Sequence, residues 1–277
     1  IQMDPHVARY ASVSLIRLRP HHSNEAPPPL FWTVCLSLWR SGTITEKPMI
    51  ERLFFLAIQS GAAFAVVLPL AIHWFLNRRW MKAPPSSPEA CKDEDLPFLC
   101  IVIPTWNESK MIESKLDNLI AQRYPSSRRR LVLVDSASTD DTVSIAKSWN
   151  KRTKQKLEIV RMPARLGKSA AINRVIQELK DSDDVFVMTD AEATLEDGAL
   201  RRIGRWMKDS SIGAVCGTLS EKTENSTYRS WYRWFRTGES RADSTPIFEG
   251  SIAAYRVDAI EEIVTTSNAD DSQLAVL

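Results

Sequence analysis

The sequence predicts an α/β chain, with a mostly parallel sheet covered by helices on both faces and one transmembrane helix ahead of it. Three observations carry this. Short apolar runs alternate with helical stretches of about 10 to 13 residues between Leu99 and Asp190, the texture of parallel βαβ units. Several of those runs end directly at an acid or a polar loop. Upstream, the 24 residues from Leu53 to Leu76 carry no formal charge.

Composition sets the outer bounds. The chain has 277 residues, 44% hydrophobic and 25% charged, which is ordinary for one or two globular domains. A net charge of only +2 argues against a nucleic-acid partner. The four cysteines, Cys35, Cys91, Cys100 and Cys216, lie far apart, so neither a disulfide framework nor a zinc site is indicated. Cys100 and Cys216 sit in apolar runs and read as core residues.

Residues 1–48 sustain no period of 2 or 3.6 and include the run Pro27-Pro28-Pro29. They read as an unstructured extension or a mis-assigned start, with Met49 as the initiator. Residues 49–82 read as the anchor. A helix over Leu53–Leu76 would span roughly 36 Å, against about 30 Å for a hydrocarbon core. The stretch is too long for a signal peptide, and no small-residue cleavage site follows. Arg78, Arg79 and Lys82 follow the span while Arg52 precedes it, which places its C-terminal side in the cytoplasm. Residues 83–97 form a Pro/Ser/acid linker, and 98–277 form the α/β domain.

Within that domain, strands are expected at Leu99–Pro104, Leu131–Val134, Leu157–Val160 and Val185–Met188. Helices are expected at Met111–Ala121, Thr139–Trp149 and Lys168–Leu179. Ligands of parallel sheets gather at the carboxyl ends of strands, which points to the loops at 104–108, 135–140 and 189–192.

Chemistry concentrates in those loops. Asp190 and Glu192 follow a strand as D-x-E, and an extended backbone would turn both carboxylates to one side. Such a pair suits a hard divalent cation, one that keeps water and takes its other ligands from a diphosphate. The segment Met162–Ser169 opens a helix at Gly167-Lys168 but lacks the first glycine of a phosphate loop, so a nucleotide triphosphatase is not indicated. Its helix N-terminus still suits a diphosphate. Tyr228, Trp231, Tyr232, Trp234 and Phe235 interleave with Arg229, Arg233 and Arg236, either as an interfacial helix or as a helix packed on the sheet.

Four segments occur in order: Pro104-Thr105-Trp106-Asn107-Glu108, Val134-Asp135-Ser136-Ala137-Ser138-Thr139-Asp140, Gly167-Lys168-Ser169, and Thr189-Asp190-Ala191-Glu192. Glu249-Gly250-Ser251 and Asn268-Ala269-Asp270-Asp271 follow. This set resembles the family 2 inverting glycosyltransferases, which include polysaccharide synthases and polyprenyl-phosphate sugar synthases and share the Rossmann-like GT-A fold. The resemblance implies that Pro104, Thr105, Asn107, Glu108, Asp135, Lys168 and Asp190 bind the nucleotide, with Asp135 reading the base. It also implies that Asp190 and Glu192 hold Mg²⁺ or Mn²⁺, that Asp271 is the general base, and that Gly250, Ser251 and Asp270 face the acceptor. The partners implied are a UDP- or GDP-sugar, a lipid-linked or polysaccharide acceptor, and a membrane.

There are departures. Glu192 stands where the family usually has Asp, and Ser136 where many members carry a second Asp. The chain stops at Leu277 without a Q-x-x-R-W segment, so the domain reads as C-terminally incomplete. The rival reading is a non-catalytic, membrane-tethered subunit that binds nucleotide-sugars or acts as a scaffold. A sugar nucleotidyltransferase would need a glycine-rich loop where Pro104-Thr105-Trp106-Asn107 stands.

Overall fold

The computed structural model describes residues 9–17, 49–84, 87–179, 181, 183–219, 227–245, 248, 251–260 and 262–263. Runs rich in Ile, Val and Leu extend as strands because branched side chains pack well on a pleated surface. In chain order the strands are β1 (Arg9–Arg17), β2 (Leu99–Thr105), β3 (Arg129–Asp135), β4 (Leu157–Arg161), β5 (Val185–Thr189), β6 (Thr194–Leu195), β7 (Ile212–Leu219) and β8 (Ile252–Arg256). The helices are α1 (Met49–Trp80), α2 (Ile112–Ile120), α3 (Thr142–Thr153), α4 (Lys168–Ile176), α5 (Ala199–Trp206) and α6 (Thr227–Ala242).

The sheet runs β4-β3-β2-β5-β8-β7-β1-β6. Its first four strands are parallel. β8 then pairs antiparallel with both β5 and β7. The parallel strands are buried on both sides, so their side chains serve two cores in alternation. Leu99, Ile101, Ile103, Leu131 and Leu133 meet α2, α3 and α5 through Leu116, Trp149 and Ile203. Cys100, Val102, Val132 and Val134 meet α4 through Ile172 and Val175. Each fully buried Leu or Ile contributes about 1.5–3 kcal/mol.

At the amino ends of these strands, Arg130 lies buried against Asp183 and Glu158. Its Nη2 donates to Asp183 Oδ2 at 2.7 Å and its Nη1 to Glu158 Oε2 at 3.1 Å.

Two expectations need correction. Residues 1–48 contain an element, because Arg9–Arg17 pairs antiparallel with β7 and Val13 stands opposite Gly217. Ala11, Val13 and Leu15 alternate there with Ser12 and Ser14, a period of 2 that the flanking arginines disguise. The rest of 1–48 lies outside the described residues, apart from 9–17. The linker is also docked along its second half. Leu96 is fully buried, and Asp93 pairs with Arg201 at 2.6 Å.

α1 runs unbroken through Pro69 and exposes Phe54, Phe64, Val67 and Leu70. It is long and apolar enough to cross a membrane. The aromatic segment near 230 is helical as α6. Tyr228 and Trp231 are exposed at its start, while Arg236 is buried with Nη2 2.9 Å from Cys216 Sγ.

Candidate active site

Parallel register brings the carboxyl ends of the central strands to one edge. Thr105 stands opposite Asp135 across β2–β3, and Val102 opposite Met188 across β2–β5. A cleft of about 340 Å³ opens above them. Six predicted residues line it: Pro104, Thr105 and Glu108 after β2, Lys168 at the start of α4, and Asp190 and Glu192 after β5.

The loop after β2 is held by the loop after β3. The amide of Asn107 donates to Ser138 Oγ at 2.9 Å, while its side-chain oxygen accepts from Thr139 N–H at 2.9 Å. The Glu108 amide donates to Thr142 Oγ1 at 2.8 Å. Asn107 and Ala137 both sit at φ 57°, left-handed backbone that non-glycine residues seldom adopt. Such strain persists where surrounding contacts over-determine it, and it clusters at functional loops.

Asp135 and Asn107, also predicted, are not among the residues that line the cleft. Asp135 is fully buried; its carboxylate accepts from Ser138 N–H at 3.2 Å and forms an ion pair with Arg161, whose Nε lies 3.3 Å away. Both residues shape the β2 and β3 loops.

The D-x-E segment also differs in detail from the extended reading. Ala193 N–H donates to Asp190 O at 3.2 Å and closes a turn. Ala191 points inward at 6% exposure, while the carboxylates on either side of it reach the cleft. Ser251 adjoins them, its carbonyl accepting from Asp190 N–H at 3.3 Å. Gly250, Asp270 and Asp271 lie outside the described residues.

Charge in the cleft is unevenly distributed. Lys168 Nζ lies 3.0 Å from Asp190 Oδ1. The Glu108 carboxyl is pushed above its ordinary value, first by burial and then by the charges of Glu192, Asp140 and Asp190. Burial also acts upward on Asp140, but hydrogen bonds from Thr142 and Ser109 outweigh it and hold the carboxyl at about 2. Among the described residues no three acids, histidines or cysteines cluster closely enough to chelate an ion alone. The donor set of Asp190 and Glu192 therefore fits a hard cation completed by phosphate and water.

Trp106 and Lys115 have roles that the sequence reading did not assign, whereas Gly167 opens its helix as expected. Trp106 presents an exposed ring to the cleft with the Arg165 guanidinium 3.4 Å from its centroid, a surface suited to a planar base. Its signal was a large aromatic immediately after a buried strand. Gly167, at φ 92°, turns the chain into α4 and aims its N-terminus at the cleft. Lys115 lies fully buried beneath the D-x-E turn.

Comparison with known proteins gives a family and a set of relatives. Residues 100–264 match the family described as Glycosyl transferase family 2. An N-acetylglucosaminyltransferase of Rhizobium sp. (strain N33) is 27% identical over 163 residues, covering 57% of this chain and 36% of that protein. A beta-monoglucosyldiacylglycerol synthase of Synechocystis sp. is 29% identical over 136 residues, covering 48% and 28%. Among solved structures, the mannosyltransferase PcManGT from Pyrobaculum calidifontis, in complex with GDP-Man and Mn²⁺, superposes with a TM-score of 0.66 at 32% identity. That match covers 79% of this chain and 61% of that one. The chain thus spans about a third of the length of these two curated relatives.

Proposed function

The chain belongs to glycosyl transferase family 2 and has the GT-A fold, and from that premise we propose a membrane-anchored enzyme that moves a sugar from a nucleotide diphosphate to a hydroxyl with inversion. The observation that carries this reading is the meeting of Thr105, Glu108, Lys168, Asp190 and Glu192 around one cleft at the carboxyl edge of the sheet.

The residues divide the work by position. The ring of Trp106 takes the base. Lys168 and the N-terminus of α4 face the diphosphate and stabilise the negative charge that grows as the anomeric bond breaks. Asp190 and Glu192 hold Mg²⁺ or Mn²⁺, which when bound supplies further neutralisation of the leaving group. Asp271 is the residue to which we assign the proton of the attacking hydroxyl, since inversion requires a base. Ser251, with Gly250 and Asp270, borders the acceptor.

The acceptor is a lipid-linked or polysaccharide hydroxyl. A polyprenyl phosphate is the sub-alternative, since its oxygen is already ionised and needs no base. An Asp271→Asn protein that remains active would select that branch. α1 serves as the anchor, crossing the bilayer in a state in which β1 has left the sheet, with the catalytic domain facing the cytoplasm. The complex of PcManGT with GDP-Man and Mn²⁺ makes a guanosine diphosphate sugar the first donor to try, and a uridine diphosphate sugar the second.

The test is the melting temperature of the full chain against GDP, UDP and CMP, each with and without Mn²⁺. Selective binding to the native state raises it by mass action. A Mn²⁺-dependent rise with one diphosphate supports the donor site and identifies its base. No rise with any of the three overturns the reading.

A further inference from the structure

Lys115 lies in the middle of α2 on the helix's buried side, at 2% exposure. Its ammonium donates to Thr189 Oγ1 at 2.7 Å and to Ala193 O at 2.6 Å. These acceptors flank the turn that carries Asp190 and Glu192. The Thr189 hydroxyl in turn donates to Ser251 O at 2.9 Å, the carbonyl that also receives the Asp190 amide. One helical turn further on, Asn118 brackets Leu195, donating to its carbonyl at 2.9 Å and accepting from its amide at 2.8 Å.

Packing gives no reason for an ammonium at this position. Burying one without a counter-charge at contact distance is costly, and a methionine would fill similar volume. Both hydrogen-bond acceptors are uncharged, so neither contact cancels the charge. The carboxylate of Asp190 is the charge that favours the ammonium. What the lysine supplies is two donors on one flexible stem, reaching the two ends of a single turn.

We propose that Lys115 is a positioning residue that clamps the Asp190–Glu192 turn at both ends and, through Thr189, ties it to Ser251 on the acceptor side. The clamp fixes the two carboxylates at the separation needed by a divalent cation carrying a nucleoside diphosphate. This inference rests on the metal reading above.

The test titrates the full-length protein with Mn²⁺, with and without GDP or UDP, following the paramagnetic resonance signal of the free aquo ion. Lys115→Met keeps the volume and removes both donors. We expect its melting temperature to stay at or above that of the unmodified protein while Mn²⁺ affinity falls about tenfold to a hundredfold, the range for partners that orient metal ligands. Thr189→Val, which removes the relay hydroxyl and keeps the shape, should weaken Mn²⁺ in the same direction by less. A folded Lys115→Met protein with undiminished Mn²⁺ affinity overturns the clamp and leaves the metal site standing. No Mn²⁺ uptake by the unmodified protein overturns the metal reading and the clamp together. If Lys115→Met does not fold, Thr189→Val decides, and undiminished Mn²⁺ affinity there overturns the clamp.

Discussion

The two edges of the parallel strands handle charge in opposite ways. At the amino edge, Arg130 is enclosed by Asp183 and Glu158, so every buried charge meets its opposite at hydrogen-bond distance. At the carboxyl edge, the Lys115 ammonium is held by a hydroxyl and a carbonyl, while Glu192, Asp140 and Asp190 press on the partly buried Glu108 carboxyl. A buried pair that satisfies itself maintains the fold and asks for nothing more. An edge left with surplus carboxylate is arranged for a charge that arrives with a ligand.

Substitutions at the two edges should therefore fail differently. Asp183→Ala leaves Arg130 without its bidentate partner and should cost about 3 kcal/mol in denaturant unfolding, with nucleotide affinity of the folded protein unchanged. Asp190→Asn should do the reverse, lowering sugar transfer by roughly 10²–10³-fold while the melting temperature holds. The contrast breaks if Asp183→Ala depresses turnover in the folded fraction as much as Asp190→Asn does. Trp106→Ala should weaken nucleotide binding about tenfold by calorimetry, the worth of one stacked base, with no change in the Mn²⁺ dependence of that binding.

The smallest effect is a pH dependence. Glu108 binds its proton more tightly in the native state than in the unfolded chain. Native stability should therefore decline as pH rises from 4.5 through the raised native value. Chemical denaturation across that range should show the decline in the unmodified protein and its loss in Glu108→Gln. An equal slope in both would remove Glu108 from the charge cluster.

The parallel half was legible in the sequence because each of its strands is a short apolar run bounded by its own loop and helix. β2, β3, β4 and β5 begin and end within two residues of expectation for that reason. The antiparallel half hid because its partners are distant. β8 reads locally as a glycine-flanked segment, and only pairing with β5 and β7 makes it a strand. The site divided along similar lines. The predicted residues that line the cleft sit at the end of a strand, one to three positions past one, or at a helix start, where position alone implies a role. The burial of Asp135 depends on how the β3 loop folds over it and on Arg161, and spacing carries neither. Lys115 did leave a trace, because Ile112, Leu116 and Leu119 set an apolar stripe on α2 and the lysine falls within it.

β1 has a consequence for how this protein meets a bilayer. Arg9–Arg17 precedes α1, whereas its neighbour Ile212–Leu219 follows it. Hydrogen-bonded strands share one aqueous compartment, but the flanks of a segment that traverses a membrane once do not. Seating β1 in the sheet and threading α1 through the bilayer a single time are thus mutually exclusive states of one continuous chain.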